Sequence, residues 1–123
     1  HLQNAALVCF EVKSGKVMWR QTLQWQDTIE ADGKKRVVNN GAFRASLLYA
    51  DGIFICLGEM GHLMALELSP QGCKELSRSW LFSAPETWSL PVLSRGLLYI
   101  SQNHRSAQGQ GPRLLCYDLR GEE

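Results

Sequence analysis

Apolar residues gather in short runs along this chain, each closed by a cluster of Gly, Ser, Asp or Lys, and that rhythm predicts strands rather than helices. Residues 7–12 and 16–23 read as the two strands of a hairpin. Lys13-Ser14-Gly15 is the turn between them, with Gly15 supplying the positive φ that a tight turn needs. Leu47-Leu48-Tyr49-Ala50-Asp51-Gly52-Ile53-Phe54-Ile55 reads as strand, two-residue turn ending in Gly, strand. Pro91-Val92-Leu93-Ser94-Arg95-Gly96-Leu97-Leu98-Tyr99-Ile100 has the same form. Runs such as Leu-Val-Cys-Phe are apolar at consecutive positions, as expected of strands covered on both faces.

The hairpin phrase from Cys9 to Arg20 has the order small residue, x, acid, x, x, Ser, Gly, Lys, x, x, Trp: Cys9, Glu11, Ser14, Gly15, Lys16, Trp19. It recurs, with a longer turn expected, from Ala65 through Glu67 and Gly72 to Trp80, and it begins again at Cys116 and Asp118. The acids at 11, 67 and 118 stand 56 and 51 residues apart, stretched from the roughly 40–50 residues of four-stranded propeller repeats. The phrase resembles A-x-D-x-x-T-G-K-x-x-W, the repeat signature of the pyrroloquinoline-quinone-type (PQQ-like) β-propellers. Cys9 stands for the Ala, Glu11 for the Asp and Ser14 for the Thr, while Gly15, Lys16 and Trp19 match outright.

That resemblance implies an all-β partial propeller of four-stranded antiparallel blades. Residues 1–23 form half a blade, strands c and d. Residues 43–82 form a complete blade, with a at 43–50, b at 53–57, c at 62–68 and d at 77–82. Residues 88–119 supply strands a to c of a further blade, and 24–42 is an inter-blade loop. It also implies that Trp19 and Trp80 pack between blades and that the acid before each turn accepts hydrogen bonds from it. The expected buried set is Leu7, Cys9, Val17, Trp19, Leu48, Phe54, Ile55, Leu66, Trp80, Val92, Leu98, Tyr99, Leu115 and Tyr117.

Composition narrows the chemistry. The 123 residues are 45% hydrophobic with a formal net charge of +1, which argues against a nucleic-acid partner. Lys34-Lys35-Arg36 reads as a solvated loop tip, and Asp27, Glu30 and Asp32 as solvated charge without calcium-loop spacing. No apolar run is long enough to span a membrane, and no signal peptide opens the sequence. Cys9 and Cys116 occupy the small-residue position of strand c, Cys56 lies in strand b and Cys73 in a c–d turn, without metal-ligand spacing. No catalytic motif is present.

Propeller topology puts the two long insertions, 24–42 and 103–112, on one face, where binding loops of a rigid scaffold belong. Near that face fall Phe43 and Arg44, Trp88 and Ser89, Glu59 and His62 around Met60-Gly61, and His104 with Arg105. Arg44, Glu59, His62, Trp88, His104 and Arg105 are candidate partner-binding residues for an anionic or aromatic group. The plainer alternative is that Arg44 and Glu59 pair and Trp88 packs between blades.

Three functions stay open: a non-catalytic scaffold binding protein or peptide, part of a quinoprotein dehydrogenase, and a carbohydrate- or cell-wall-associated module. The dehydrogenases of the resembled family carry adjacent cysteines beside the cofactor, and this chain has none. No cofactor is expected of this segment, and PQQ only within a full ring. The resemblance implies a periplasmic or extracellular setting. A segment of a ring would present open blade faces, so it is expected to meet further blades or to self-associate.

Overall fold

The structure, a computed structural model, describes residues 6–121. Residues 1–5, assigned above to the first half blade, lie outside the described residues. Among those described there are eleven strands and no helix. They are β1 (Ala6–Phe10), β2 (Val17–Thr22), β3 (Gln24–Ala31), β4 (Lys34–Gly41), β5 (Ala45–Ala50), β6 (Ile53–Gly58), β7 (His62–Ser69), β8 (Gly72–Trp80), β9 (Val92–Ser94), β10 (Leu97–Gln102) and β11 (Arg113–Asp118). All pairing is antiparallel, between neighbours in sequence: β1-β2, β3-β4, β5-β6-β7-β8 and β9-β10-β11. Among the described residues no helix is long and apolar enough to cross a membrane.

Period two along the strands sorts side chains between two cores. On β6, Ile55 and Leu57 join Leu98 and Ile100 of β10 and Phe82 in one cluster. The intervening Cys56, with Met64 and Leu66 of β7, joins Leu23 and Ala42 in the other, against which Leu7 and Phe54 also pack. The four-stranded sheet is thus covered on both faces. This accounts for consecutive apolar residues in β6, where burial runs through Ile55, Cys56 and Leu57.

The β1-β2 and β7-β8 hairpins share a defect. Register slips between Cys9 and Phe10 in the first and between Ala65 and Leu66 in the second. In each an extra residue, Met18 or Leu76, bulges from the second strand directly opposite the same position of the repeated phrase. A bulge adds local twist and is a positional feature of a fold. The small residue faces the next sheet each time: Cys9 shares its side of β1 with Leu7, and Ala65 its side of β7 with Leu63, both directed at a core.

Several expectations are corrected. Residues 24–42 form a hairpin rather than a loop. Trp25, Asp27, Ile29 and Ala31 turn inward alternately, and Asp32 and Gly33 close it at φ 53° and 73°. Both angles are positive, as in a type I′ turn. The same geometry recurs at Asp51-Gly52 and Arg95-Gly96. Strand β8 begins at Gly72, not 77, because β7 and β8 meet through a short turn at Pro70-Gln71; Cys73 therefore lies in the strand. Trp80 is not the counterpart of Trp19. Trp19 pairs with Cys9 whereas Ala65 pairs with Ser77, and Trp80 lies opposite His62.

Burial departs from expectation at the outer faces. Val17 and Val92 are exposed, as is Cys116. They share outward faces with Phe10, 57% exposed, and Leu114, 73% exposed. Ile55, Leu66 and Leu98 are buried; Leu7, Cys9, Trp19, Leu48, Phe54, Trp80, Tyr99, Leu115 and Tyr117 are half-buried.

Candidate functional site

Turn chemistry places the acids of the repeated phrase. Ser14 donates from Oγ to Glu11 Oε2 at 2.7 Å, and the Gly15 amide donates to the Glu11 carbonyl at 2.7 Å. Asp118 Oδ1 accepts from the Arg120 amide at 3.0 Å. Glu67 departs from this pattern: its side chain is exposed, and Ser69 Oγ instead accepts from the Gln71 amide at 3.2 Å. Trp19 donates from its indole to the Ser69 carbonyl at 2.7 Å, tying the first hairpin to the β7-β8 turn.

Of the candidate binding residues, three come together. Arg44 immediately precedes β5, and its amide and Nε lie 3.3 and 3.5 Å from Glu59 Oε2. Its guanidinium sits 5.0 Å from the centre of the Trp88 ring. Arg44 is 64% exposed while Glu59 is 1% exposed. The Thr87 amide fixes the Glu59 backbone, donating to its carbonyl at 2.9 Å. Arg44 and Glu59 thus pair, as in the plainer reading, whereas Trp88 is exposed beside the guanidinium rather than packed between blades. His104 pairs with Glu86 at 2.7 Å, near the same 86–88 segment. Arg105 is exposed.

His62 belongs elsewhere. It is buried, stacked on Trp80 with centroids 4.5 Å apart and edge-on to Trp25 at 4.8 Å. Its Nε2 lies 2.9 Å from Asp27 Oδ2. That same oxygen accepts from Asn40 Nδ2 at 2.8 Å and Trp25 Nε1 at 3.0 Å. Asp27 is thus a correction, a partly buried hub rather than solvated charge. Partial burial pushes its pKa up, but the bonds from Asn40, His62 and Trp25 together hold it below the usual carboxylate range. For His62, desolvation outweighs the pull of the Asp27 carboxylate, and its pKa falls below the ordinary imidazole value. The neutral ring donates from Nε2, leaving the buried Nδ1 without a partner among the described residues. Arg78 closes the cluster, 4.4 Å over Trp25.

Asp27, Trp25, Asn40 and Arg78 were not singled out as site residues. The available signal was inward alternation at 25, 27, 29 and 31, ended by Asp-Gly, the same dipeptide read as a turn at 51–52.

The two long insertions share a cleft of about 600 Å³, lined by Thr28 to Ala31 of the hairpin, Trp80 to Ser83, and Ala107 and Gln108. The Ala107 amide donates to the Ser83 carbonyl at 2.8 Å and anchors the second insertion. Among the described residues no three His, Cys, Asp or Glu side chains gather to hold a metal ion. No family model, curated protein or solved structure matches this chain.

Proposed function

We propose that this chain is a segment of a PQQ-like β-propeller acting as a non-catalytic scaffold that binds an extended peptide of a protein partner. The blade reading is supported by the sequential four-stranded meander, by its coverage on both faces, and by the shared bulge opposite the repeated phrase. The observation that carries the binding role is the cleft between the insertions, of about 600 Å³. Strand β3 has a single paired neighbour, β4, among the described residues. The Leu23 carbonyl accepts from the Ala42 amide, so the odd-numbered residues of β3 bond inward to β4. By alternation the backbone groups of Thr28 and Glu30 face the other edge. An extended peptide adding to that edge gains main-chain hydrogen bonds, with side chains settling alternately against the walls.

The test is selection of displayed peptides on the folded chain, followed by amide-shift mapping of the best binder. Shifts concentrated at 28–31, 80–83 and 107–108 support the reading. Binders that map only to the outer faces around Phe10 or Leu114 overturn it.

A further inference from the structure

At the base of the β3-β4 hairpin, away from its tip, lies a second open groove of about 540 Å³ lined by Gln24, Trp25, Gln26, Asn39, Asn40 and Phe43. Its size is within the roughly 300–1,000 Å³ of small-molecule sites. Its lining is unusual in kind: four carboxamides, two aromatic rings and no charged side chain.

Register builds this lining. Gln26 pairs with Asn39, and both project from the exposed side of the hairpin. Gln26 Nε2 donates to Asn39 Oδ1 at 3.3 Å. That bond uses one amide hydrogen of Gln26 and the carbonyl of Asn39. It leaves the Gln26 carbonyl and the Asn39 amide group directed to no other side chain among the described residues. A carboxamide pair in this state offers a donor and an acceptor side by side. Asn40 is different, since it is committed to Asp27. Trp25 contributes rim only, because Arg78 lies over its ring and His62 meets it edge-on.

Phe43 supplies the apolar wall. It sits in the link from β4 to β5 at φ 49°, a left-handed conformation that a bulky side chain rarely adopts. The tertiary structure holds this strained backbone, and with it the ring, beside the carboxamides.

We propose that this groove binds a neutral, hydroxyl-rich ligand, a saccharide. Each sugar hydroxyl both donates and accepts, which matches paired carboxamides, and the C–H face of a sugar ring packs against an aromatic ring. An ionic ligand entering the groove is desolvated without a countercharge in the lining, which disfavours nucleotides and phosphorylated compounds. The site is separate from the peptide cleft, so either can fail without the other.

Cellotetraose, xylotetraose, maltotetraose and chitotetraose, titrated against the folded chain by calorimetry and proton NMR, test the proposal. At least one binds saturably at or below roughly 10 mM. Asn39→Asp keeps the size of the side chain but removes its donor, and Phe43→Gly removes the ring while accommodating the positive φ. Each weakens binding by about tenfold or more with the far-UV spectrum unchanged. Lys35→Ala, on the same strand but outside the lining, leaves binding unaltered. The proposal is overturned if none of the four sugars saturates in that range, or if binding survives both Asn39→Asp and Phe43→Gly in folded protein.

Discussion

His62 Nε2 lies 2.9 Å from Asp27 Oδ2, joining β7 of the four-stranded sheet to β3 of the hairpin that follows the first sheet. The contact is buried on the histidine side and fixes the hairpin at its middle. Trp25 and Trp80 enclose the ring, so the pair acts as a rivet between two sheets that share no backbone ladder.

Stability should therefore fall as the medium is acidified. His62 has a folded pKa below its unfolded value, so the unfolded chain takes the proton first. The stabilisation is complete above the unfolded value of about 6.5 and declines as pH drops from there through the folded pKa. Asp27, also depressed, adds a further decline below about 3.9. The charged groups facing the imidazole are Asp27 and Arg78. Melting midpoints between pH 7.5 and 5 measure this, and the slope should flatten in His62→Phe. An equal slope in the variant would assign the effect to other groups.

Gly61→Ala should be strongly destabilising. Gly61 has φ 91°, and a Cβ there would meet the carbonyl oxygen and ring of Phe82. Positive φ and a clash with backbone combine, giving about 2–4 kcal/mol in chemical denaturation. By contrast Gly33→Ala, at φ 73° with open space around it, should lose only the conformational part, about 1 kcal/mol.

Glu11→Ala and Glu67→Ala should differ although the two acids occupy the same place in the repeated phrase. Glu11 loses the bond from Ser14, about 0.5–1 kcal/mol at an exposed turn. Glu67 has no such bond to lose, and its variant should melt with the parent chain. Equal losses would show that the Ser14 contact contributes nothing.

The cysteines should separate by reactivity. All four are free thiols. Burial, with Cys73 nearby, pushes the Cys56 thiol up to about 12, so it carries almost no thiolate at neutral pH. Cys116 is exposed on an outer face. Mass spectrometry after brief iodoacetamide treatment should find Cys116 labelled in the folded chain and Cys56 only after unfolding. Native labelling of Cys56 would mean that its core opens readily.

Exposed apolar faces at Phe10 and Leu114 should drive association at micromolar concentration. Light scattering should report species larger than the monomer, reduced in Phe10→Lys with Leu114→Lys. A monodisperse monomer of the parent chain is the contrary result.

Much of the strand order was legible in the sequence because it rests on local chemistry. Asp51-Gly52 and Arg95-Gly96 adopt the positive φ pair of a tight hairpin turn, and the runs beside them have nowhere to go but back along themselves. Asp32-Gly33 carried the same message, and the polar residues around it obscured an alternation that buries one side only. The small residue, acid and turn at Cys9, Glu11 and Ser14 were equally local. What lay beyond the sequence was register and enclosure. Whether Trp80 matches Trp19 depends on which residues the strands pair, Trp19 with Cys9 but Ser77 with Ala65, and inter-strand hydrogen bonding settles that. That Asp27 meets His62 across 35 residues, and that Trp88 comes to lie beside the Arg44 guanidinium, depends on how sheets stack. Hydrophobic pattern alone states that a face is covered, not by which neighbour. A carboxylate reads as solvated until the tertiary structure brings it three donors, and Phe43 reads as the first residue of a strand near the loop face until packing holds it at a positive φ.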